Sequence, residues 1–373
     1  MRKDKNGLLL GLAVSAVLAA PMARADNPGD TTIGGLIFTD LTSISTTQDT
    51  ATGSTDKDPN GFGLDVKRGY FIVNHTFDDV WSADLTTDFN LAKYTLSGTD
   101  TTSGDPVTVS GNAPETQLFV KNLYLQGHFD DWATLRVGAA SMPWTSYVEG
   151  VYGYRFVENT MTDRSAFANT ADWGVNLNGK GELVNYSASL VNGGGYKNPS
   201  RSKGMDFEGR VAFTPLDGSL IIALGGYTGK RGLDTEATPA THTASRGDLL
   251  LAWKASGLTV GLEWFSASDW NNVTTAVGKP TDDSSGTSLF ASYDFPGTPY
   301  SVFGRYDDVK PTKDTDSTQE DKYYNAGFAW KSSPNITWAL AYKSDKVTDN
   351  LKHGIDDNDL KTQEIGIWAQ IKY

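Results

Sequence analysis

From Lys361 to Tyr373 apolar and polar residues alternate with a period of two. Ile365, Ile367, Ala369, Ile371 and Tyr373 fall on one face of an extended strand, and Glu364, Gly366, Gln370 and Lys372 on the other, with Trp368 the exception. Successive side chains of a strand point to opposite sides, so this segment has one apolar and one wet face. The pattern recurs. Leu258, Val260, Leu262 and Trp264 oppose Thr259, Gly261 and Glu263, and Leu289, Ala291, Tyr293 and Phe295 oppose Ser288, Phe290, Ser292 and Asp294. Ile336, Trp338, Leu340 and Tyr342 oppose Thr337, Ala339, Ala341 and Lys343. Such a chain is written for β-sheet whose two faces meet unlike surroundings.

Tight-turn compositions stand at Asp78-Asp79, Asp130-Asp131, Gly179 to Gly181, Pro215 to Gly218, Ser256-Gly257, Pro296 to Pro299 and Ser333 to Asn335. Between them lie longer polar connections near 46–63, 95–115, 142–170, 193–203, 229–245, 269–284, 309–319 and 346–360. Short and long links in alternation are what antiparallel hairpins give when the two ends of a barrel face different compartments. The spacing predicts an all-β fold: a closed antiparallel transmembrane β-barrel of sixteen strands. Its long loops would be extracellular, and loop 3 would fold into the lumen. The apolar face is expected outward, because the polar faces carry charges that a dry core would not accept. Trp81, Phe129, Trp264, Phe295 and Tyr373 sit at strand ends on the apolar face, as interfacial aromatic girdles do.

Arg2, Lys3 and Lys5 precede an apolar run from Gly7 to Ala20 and the triplet Ala23-Arg24-Ala25. Residues 1–25 therefore read as a cleaved signal peptide, and 26–373 as one barrel domain exported through the periplasm to a bacterial outer membrane. The apolar run is too short for a membrane helix, which needs about 20 residues. The leader carries four basic residues and one acidic one, so the net charge of −13 becomes about −16 without it. So acidic a balance argues against nucleic acid as a partner. Cysteine is absent, which removes disulfides, thiolate metal sites and thiol nucleophiles together.

The stretch from Ser141 to Thr170 is the longest link and the least like a solvated tip, with Trp144, Tyr147, Tyr152, Tyr154, Phe156 and Phe167. Aromatics at that density need protein to cover them, and the barrel interior is the nearest cover. Glu149, Arg155, Glu158, Asp163 and Arg164 would then line a constriction. Capping the rim or packing on a neighbouring subunit is the alternative. Strand parity places Asp84, Asp88, Arg136, Asp206, Glu208, Arg210, Glu263, Arg305 and Asp307 in the lumen, and Arg68 with them. Lumen charges decide which ions pass, although any one of them is more simply explained as paired and keeping the lumen wet.

Val66-Lys67-Arg68-Gly69-Tyr70, Asp78-Asp79, Lys121-Asn122-Leu123-Tyr124-Leu125, Leu135-Arg136-Val137-Gly138 and Pro143-Trp144, followed by Glu149, Arg155 and Arg164, resemble the phosphate-selective (O and P) bacterial porins. The C-terminal strand is similar to the insertion signal of outer-membrane barrels. The resemblance covers roughly 64–170 and implies a sixteen-strand barrel, usually trimeric, that admits small hydrophilic solutes, with anions such as phosphate in its selective members. Those members share a ladder of arginines. Here Asp84, Asp88, Glu208 and Glu263 interrupt any ladder built from Arg68, Arg136, Arg210 and Arg305, so a general channel is the reading kept. Its partners would be membrane lipid, lipopolysaccharide, ions and small solutes.

Two rival classes make different demands on such a chain. A barrel hydrolase needs a histidine held beside a nucleophile, and His75, His128, His242 and His353 are scattered. A non-conducting receptor, adhesin or sheath would fill its lumen, whereas Gly261, Gly327, Gly366, Ala339 and Ala341 leave room. No cofactor or metal site is expected. Asp56-x-Asp58-x-Asn60-Gly61 begins like a calcium loop, but Lys67 stands where the bidentate Glu belongs. Asp356, Asp357 and Asp359 read as a solvated acidic tip.

Overall fold

The computed structural model describes residues 28–50, 53–99, 106–271, 281–314, 317–348 and 359–373. The expected leader, His353, Asp356 and Asp357 lie outside them. Sixteen strands follow in order: β1 (Thr31–Thr50), β2 (Gly53–Thr76), β3 (Trp81–Thr99), β4 (Pro106–Asp130), β5 (Ala133–Ser141), β6 (Ala171–Lys180), β7 (Val184–Val191) and β8 (Asp206–Phe213). The second half comprises β9 (Leu220–Gly229), β10 (Ala244–Ala255), β11 (Leu258–Asn271), β12 (Asp282–Asp294), β13 (Tyr300–Lys310), β14 (Glu320–Ser333), β15 (Ile336–Thr348) and β16 (Asp359–Lys372). Each pairs antiparallel with its neighbours in sequence, and β1 pairs with β16 to close the barrel. Closure leaves no raw edge around the ring, which is how a sheet satisfies its backbone groups in a medium without water.

The alternation read from the sequence is what divides inside from outside. Leu258, Val260, Trp264, Leu289, Trp338, Leu340, Ile365 and Ile367 are exposed on the outer wall, while Glu208, Glu263, Asp307 and Arg305 are buried within. Trp368 keeps strict parity with Glu364 and is fully buried inside, an aromatic residue on the otherwise polar lumen face. The seam is drawn tight by its last residue. Gly35 N donates to Tyr373 O at 2.9 Å and Tyr373 N to Gly35 O at 3.1 Å. A Cβ on Gly35 would stand 2.3 Å from the Tyr373 ring, so only glycine fits that position.

At the short-link end, Asp78 Oδ1 accepts from the N–H groups of Val80 (2.9 Å) and Trp81 (2.7 Å), an aspartate turn of the expected kind. Ser256 and Gly257 both take positive φ, 52° and 84°, giving the two-residue turn whose twist suits a hairpin.

Two of the expected long loops are not loops. Residues 46–63 and 95–115 are largely strand, carrying β2 to 24 residues and β4 to 25. Every residue from 53 to 67 is exposed, and from 53 to 61 none is apolar except Pro59, so no apolar periodicity marks that stretch until Phe62, Leu64 and Val66 take up the outward face. The calcium-like residues Asp56 to Gly61 accordingly lie along a strand, with Asn60 Oδ1 accepting from Thr46 N at 2.6 Å. By contrast β5 to β9 run only 8 to 10 residues.

Candidate functional site: loop 3 within the barrel

Loop 3, residues 142–170, turns inward from β5 and re-emerges at β6, its neck closed by Met142 N donating to Thr170 O at 3.0 Å. It carries two helices, α1 (Thr145–Tyr152) and α2 (Met161–Arg164). Gly153 ends α1 with φ 83°, the left-handed cap that glycine adopts without strain.

Apolar packing fixes where the loop leans. Trp144, Val148, Val151, Tyr152, Tyr154, Phe156 and Val157 form one buried cluster with Phe38, Ile221, Leu250, Phe290, Phe303 and Trp368. Tyr154 stacks on Phe303 with centroids 4.1 Å apart, and Tyr152 meets Phe290 edge-on at 5.5 Å. Met161 and Phe167 join a second cluster with Tyr227, Phe265, Trp270 and Val309. Among the described residues, both clusters draw their wall members from β1 and β8 to β16, and none from β2 to β7. At their own positions the small lumen residues serve close packing, and Ala339 and Ala341 belong to the first cluster. A Cβ on Gly261 would lie 2.2 Å from the Phe290 ring, one on Gly327 2.4 Å from Phe303, and one on Gly366 2.3 Å from Leu41 O. Trp144 likewise occupies the space over Gly225, where a Cβ would come within 2.5 Å of the indole.

Hydrogen bonds pin the loop to the same wall. Glu208 Oε1 accepts from Trp144 N (2.9 Å), and Glu263 Oε1 accepts from both Trp144 Nε1 (3.1 Å) and Thr162 Oγ1 (3.0 Å). Arg210 donates to Pro143 O at 3.1 Å and lies 3.9 Å over the Tyr147 ring.

Every charged loop residue singled out in the sequence lies inside the barrel, and most are ion-paired. Glu158 meets Lys343 at 3.0 Å, and Lys343 also holds Glu364 at 2.6 Å. Arg164 reaches Asp307 (3.3 Å), Asp321 (3.0 Å) and Asp345 (3.2 Å), while Arg305 meets Asp307 at 3.0 Å. Facing the opposite wall, Arg155 pairs with Glu149 and donates to Tyr70 Oη at 3.0 Å. Lys121 Nζ donates to the same phenol oxygen at 2.8 Å. Asp163 stands near enough to influence both Glu149 and Arg155. Arg68 meets Asp88 at 2.9 Å, with Tyr196 Oη donating to Asp88 at 3.2 Å. Asp84 accepts from Thr86, and Arg136 bonds Gln126 at 2.8 Å beneath Tyr124. Burial raises the Glu149 carboxyl, only partly offset by Arg155 and Lys121. Burial would raise Glu158 too, but Lys343 and Arg305 outweigh it and hold that carboxyl at about 2.

Several members of this network were not picked out from sequence. In the sequence Tyr70 stands out only as part of the Val66 to Tyr70 motif. Lys121 sits in a bulge where the β3–β4 register slips, which breaks the parity count. Arg246, buried against Glu208 (2.9 Å) and Asp248 (2.8 Å), precedes a run of three leucines that hides the alternation. Asp321 and Asp345 were legible by parity with Tyr323 and Lys343. Among the described residues the histidines lie apart, His75 bonded to Thr31 (2.8 Å) and His128 to Thr134 (2.9 Å).

No protein-family model and no curated protein matches the sequence. Solved structures do match the fold. The anion-selective porin from Comamonas acidovorans superposes with a TM-score of 0.59 at 13% identity, over 92% of this chain and 100% of that one. The outer-membrane channel DcaP of Acinetobacter baumannii gives 0.60 at 13%, over 93% and 98%. OmpT of Vibrio cholerae, in its trimer form, gives 0.55 at 12%, over 93% and 100%. In fold, then, this chain is similar to bacterial outer-membrane porins.

Proposed function

We propose that this chain is an outer-membrane porin, a water-filled channel for passive diffusion of ions and small hydrophilic solutes, assembling as a homotrimer after removal of residues 1–25. The carrying observation is a closed barrel, apolar outside and charged inside, whose third loop lies in the lumen. Loop 3 leans its apolar side on β8 to β16, so its charged side and the wall from β2 to β7 bound the remaining water path. Arg68, Lys121, Arg136 and Arg155 face Asp84, Asp88, Glu149 and Asp163 there. Cations and carboxylates are so evenly matched that charge selectivity is weak, and the phosphate preference implied by the resemblance rests on motifs alone. The acidic excess lies elsewhere, tied up by Arg164, Arg305 and Lys343.

Planar-bilayer recording of the purified protein tests this. Discrete ion steps are expected, with a small reversal potential in a salt gradient. A silent bilayer would instead favour a non-conducting receptor or sheath, the reading that the aromatic filling of one side of the lumen otherwise supports.

A further inference from the structure

The outer wall is not chemically uniform. Among the described residues, the outward faces of β5 to β12 carry no lysine or arginine. The outward faces of β13 to β16 carry four lysines, Lys310, Lys322, Lys346 and Lys361, at the long-loop end. Three of them lie directly opposite one another on adjacent strands: Lys322 pairs in register with Lys346, and Lys346 with Lys361. Like charges facing across strands destabilise a sheet unless something anionic lies between them. Glu320 meets Lys322, and Asp359 meets Lys346 at 2.6 Å. These contacts are on the surface, with the lysine side chains 43% and 44% exposed, and such pairs hold little. Lys361 and Lys310 make no ion pair among the described residues.

The next row towards the short-turn end places Tyr306 opposite Tyr324, both more than two-fifths exposed. Tyr342 packs against Tyr324 at 5.9 Å. Tyrosine rings mark the level where hydrocarbon gives way to headgroups. A lysine one step beyond that level keeps its carbon stem along the hydrocarbon and its ammonium among the headgroups. Asp308 and the carboxylates Glu320 and Asp359 leave the arc with little net charge. What it offers is a row of three ammonium groups at one depth.

We infer that this arc of β13 to β16 docks the phosphate groups of an anionic glycolipid, the lipopolysaccharide headgroup of the outer leaflet, on Lys322, Lys346 and Lys361. The inference rests on the barrel's sitting in an outer membrane, as proposed above. Charge complementarity is what selects the occupant, because phosphates at headgroup depth relieve the lysine–lysine repulsion that the register imposes.

The test is native mass spectrometry of the detergent-purified protein after incubation with bis-phosphorylated lipid A or its dephosphorylated form. Wild type should retain the phosphorylated lipid alone. Replacing the row together (Lys322→Gln, Lys346→Gln, Lys361→Gln) should cut retention at least about tenfold, since each surface lysine contributes severalfold to binding anionic headgroups. The corresponding triple arginine variant should restore it. Equal retention by the glutamine variant, or equal retention of dephosphorylated lipid, would overturn the inference. So would full competition by inorganic phosphate, which would assign the row to free anions. Bilayer recording of the same preparations separates the two readings. Ion steps alongside unchanged lipid retention reject the docking face alone, whereas a silent wild type that still binds lipid A through these lysines rejects the channel alone.

Discussion

Trp144 donates its indole N–H to Glu263 Oε1 across 3.1 Å, from the first residues of loop 3 to the wall of β11. Because Thr162 bonds the same oxygen at 3.0 Å, a single carboxylate holds the loop near both of its ends. Glu263→Ala should leave two buried donors unmatched. Leaving a buried donor unsatisfied costs about 1–3 kcal/mol. The expected result is a lower unfolding midpoint in urea together with noisier single-channel current. A quiet, wild-type current trace would show that this anchor does not hold the loop.

Arg164 is the only loop cation that touches three carboxylates. Replacing both Arg155 and Arg164 by Glu puts new negative charge among Asp307, Asp321, Asp345 and Glu149, and should move the reversal potential towards cation preference. Breaking buried pairs of this kind costs about 3–5 kcal/mol. Arg164→Gln should therefore also weaken the loop's hold without adding charge. An unmoved reversal potential in the double variant would place the loop's charges outside the ion path.

Acid should loosen the loop through Glu158. Its folded carboxyl is held at about 2 against an ordinary 4.5, so the stability it contributes is fully present above 4.5 and is lost as pH falls towards 2. Glu149 has the opposite sign: its raised carboxyl favours the folded state most at low pH and loses that advantage as pH rises. Conductance measured as pH is lowered should hold until about pH 4 and change below it. Glu158→Gln should abolish that acid transition. If the transition persists in this variant, another carboxylate governs it.

Gly327→Ala introduces a Cβ 2.4 Å from the Phe303 ring, on which Tyr154 stacks. Overpacking of this sort costs about 1–3 kcal/mol. The variant should fold but lose its compact band on unheated gels at lower temperature than wild type. The same substitution at Gly247, where a Cβ meets nothing within 4 Å, should leave the band unchanged.

The barrel was legible because an apolar outer wall and a polar inner one force alternation, and β11, β12, β15 and β16 show it plainly, with Phe265, Phe290 and Trp368 as aromatic interruptions on the lumen face. Where that constraint lapses, so did the reading. Residues 53–61 are strand with polar or glycine residues on both faces, apart from Pro59, and that composition makes them look like loop. The aromatics of loop 3 announced that it must be covered, and the charges Glu149, Arg155, Glu158, Asp163 and Arg164 did follow it inside. Their partners were harder to see, because pairing joins residues such as Arg164 and Asp345 that only the closed ring brings together. The small residues of the lumen were misread for a related reason. Glycine at 261 and 327 looks like emptiness in a sequence, yet in the fold it is the socket for a phenylalanine.

The seam between β1 and β16 has a consequence for how such a wall can be made. The two strands that meet there stand at opposite ends of the sequence, so Gly35 can find Tyr373 only after nearly all intervening polypeptide has been laid down. Long-range pairings of this kind form slowly. Until that join is made, the sheet is an open ribbon with two sticky margins, vulnerable to recruiting any other extended chain nearby. The single pairing of β1 with β16 removes both margins in one step.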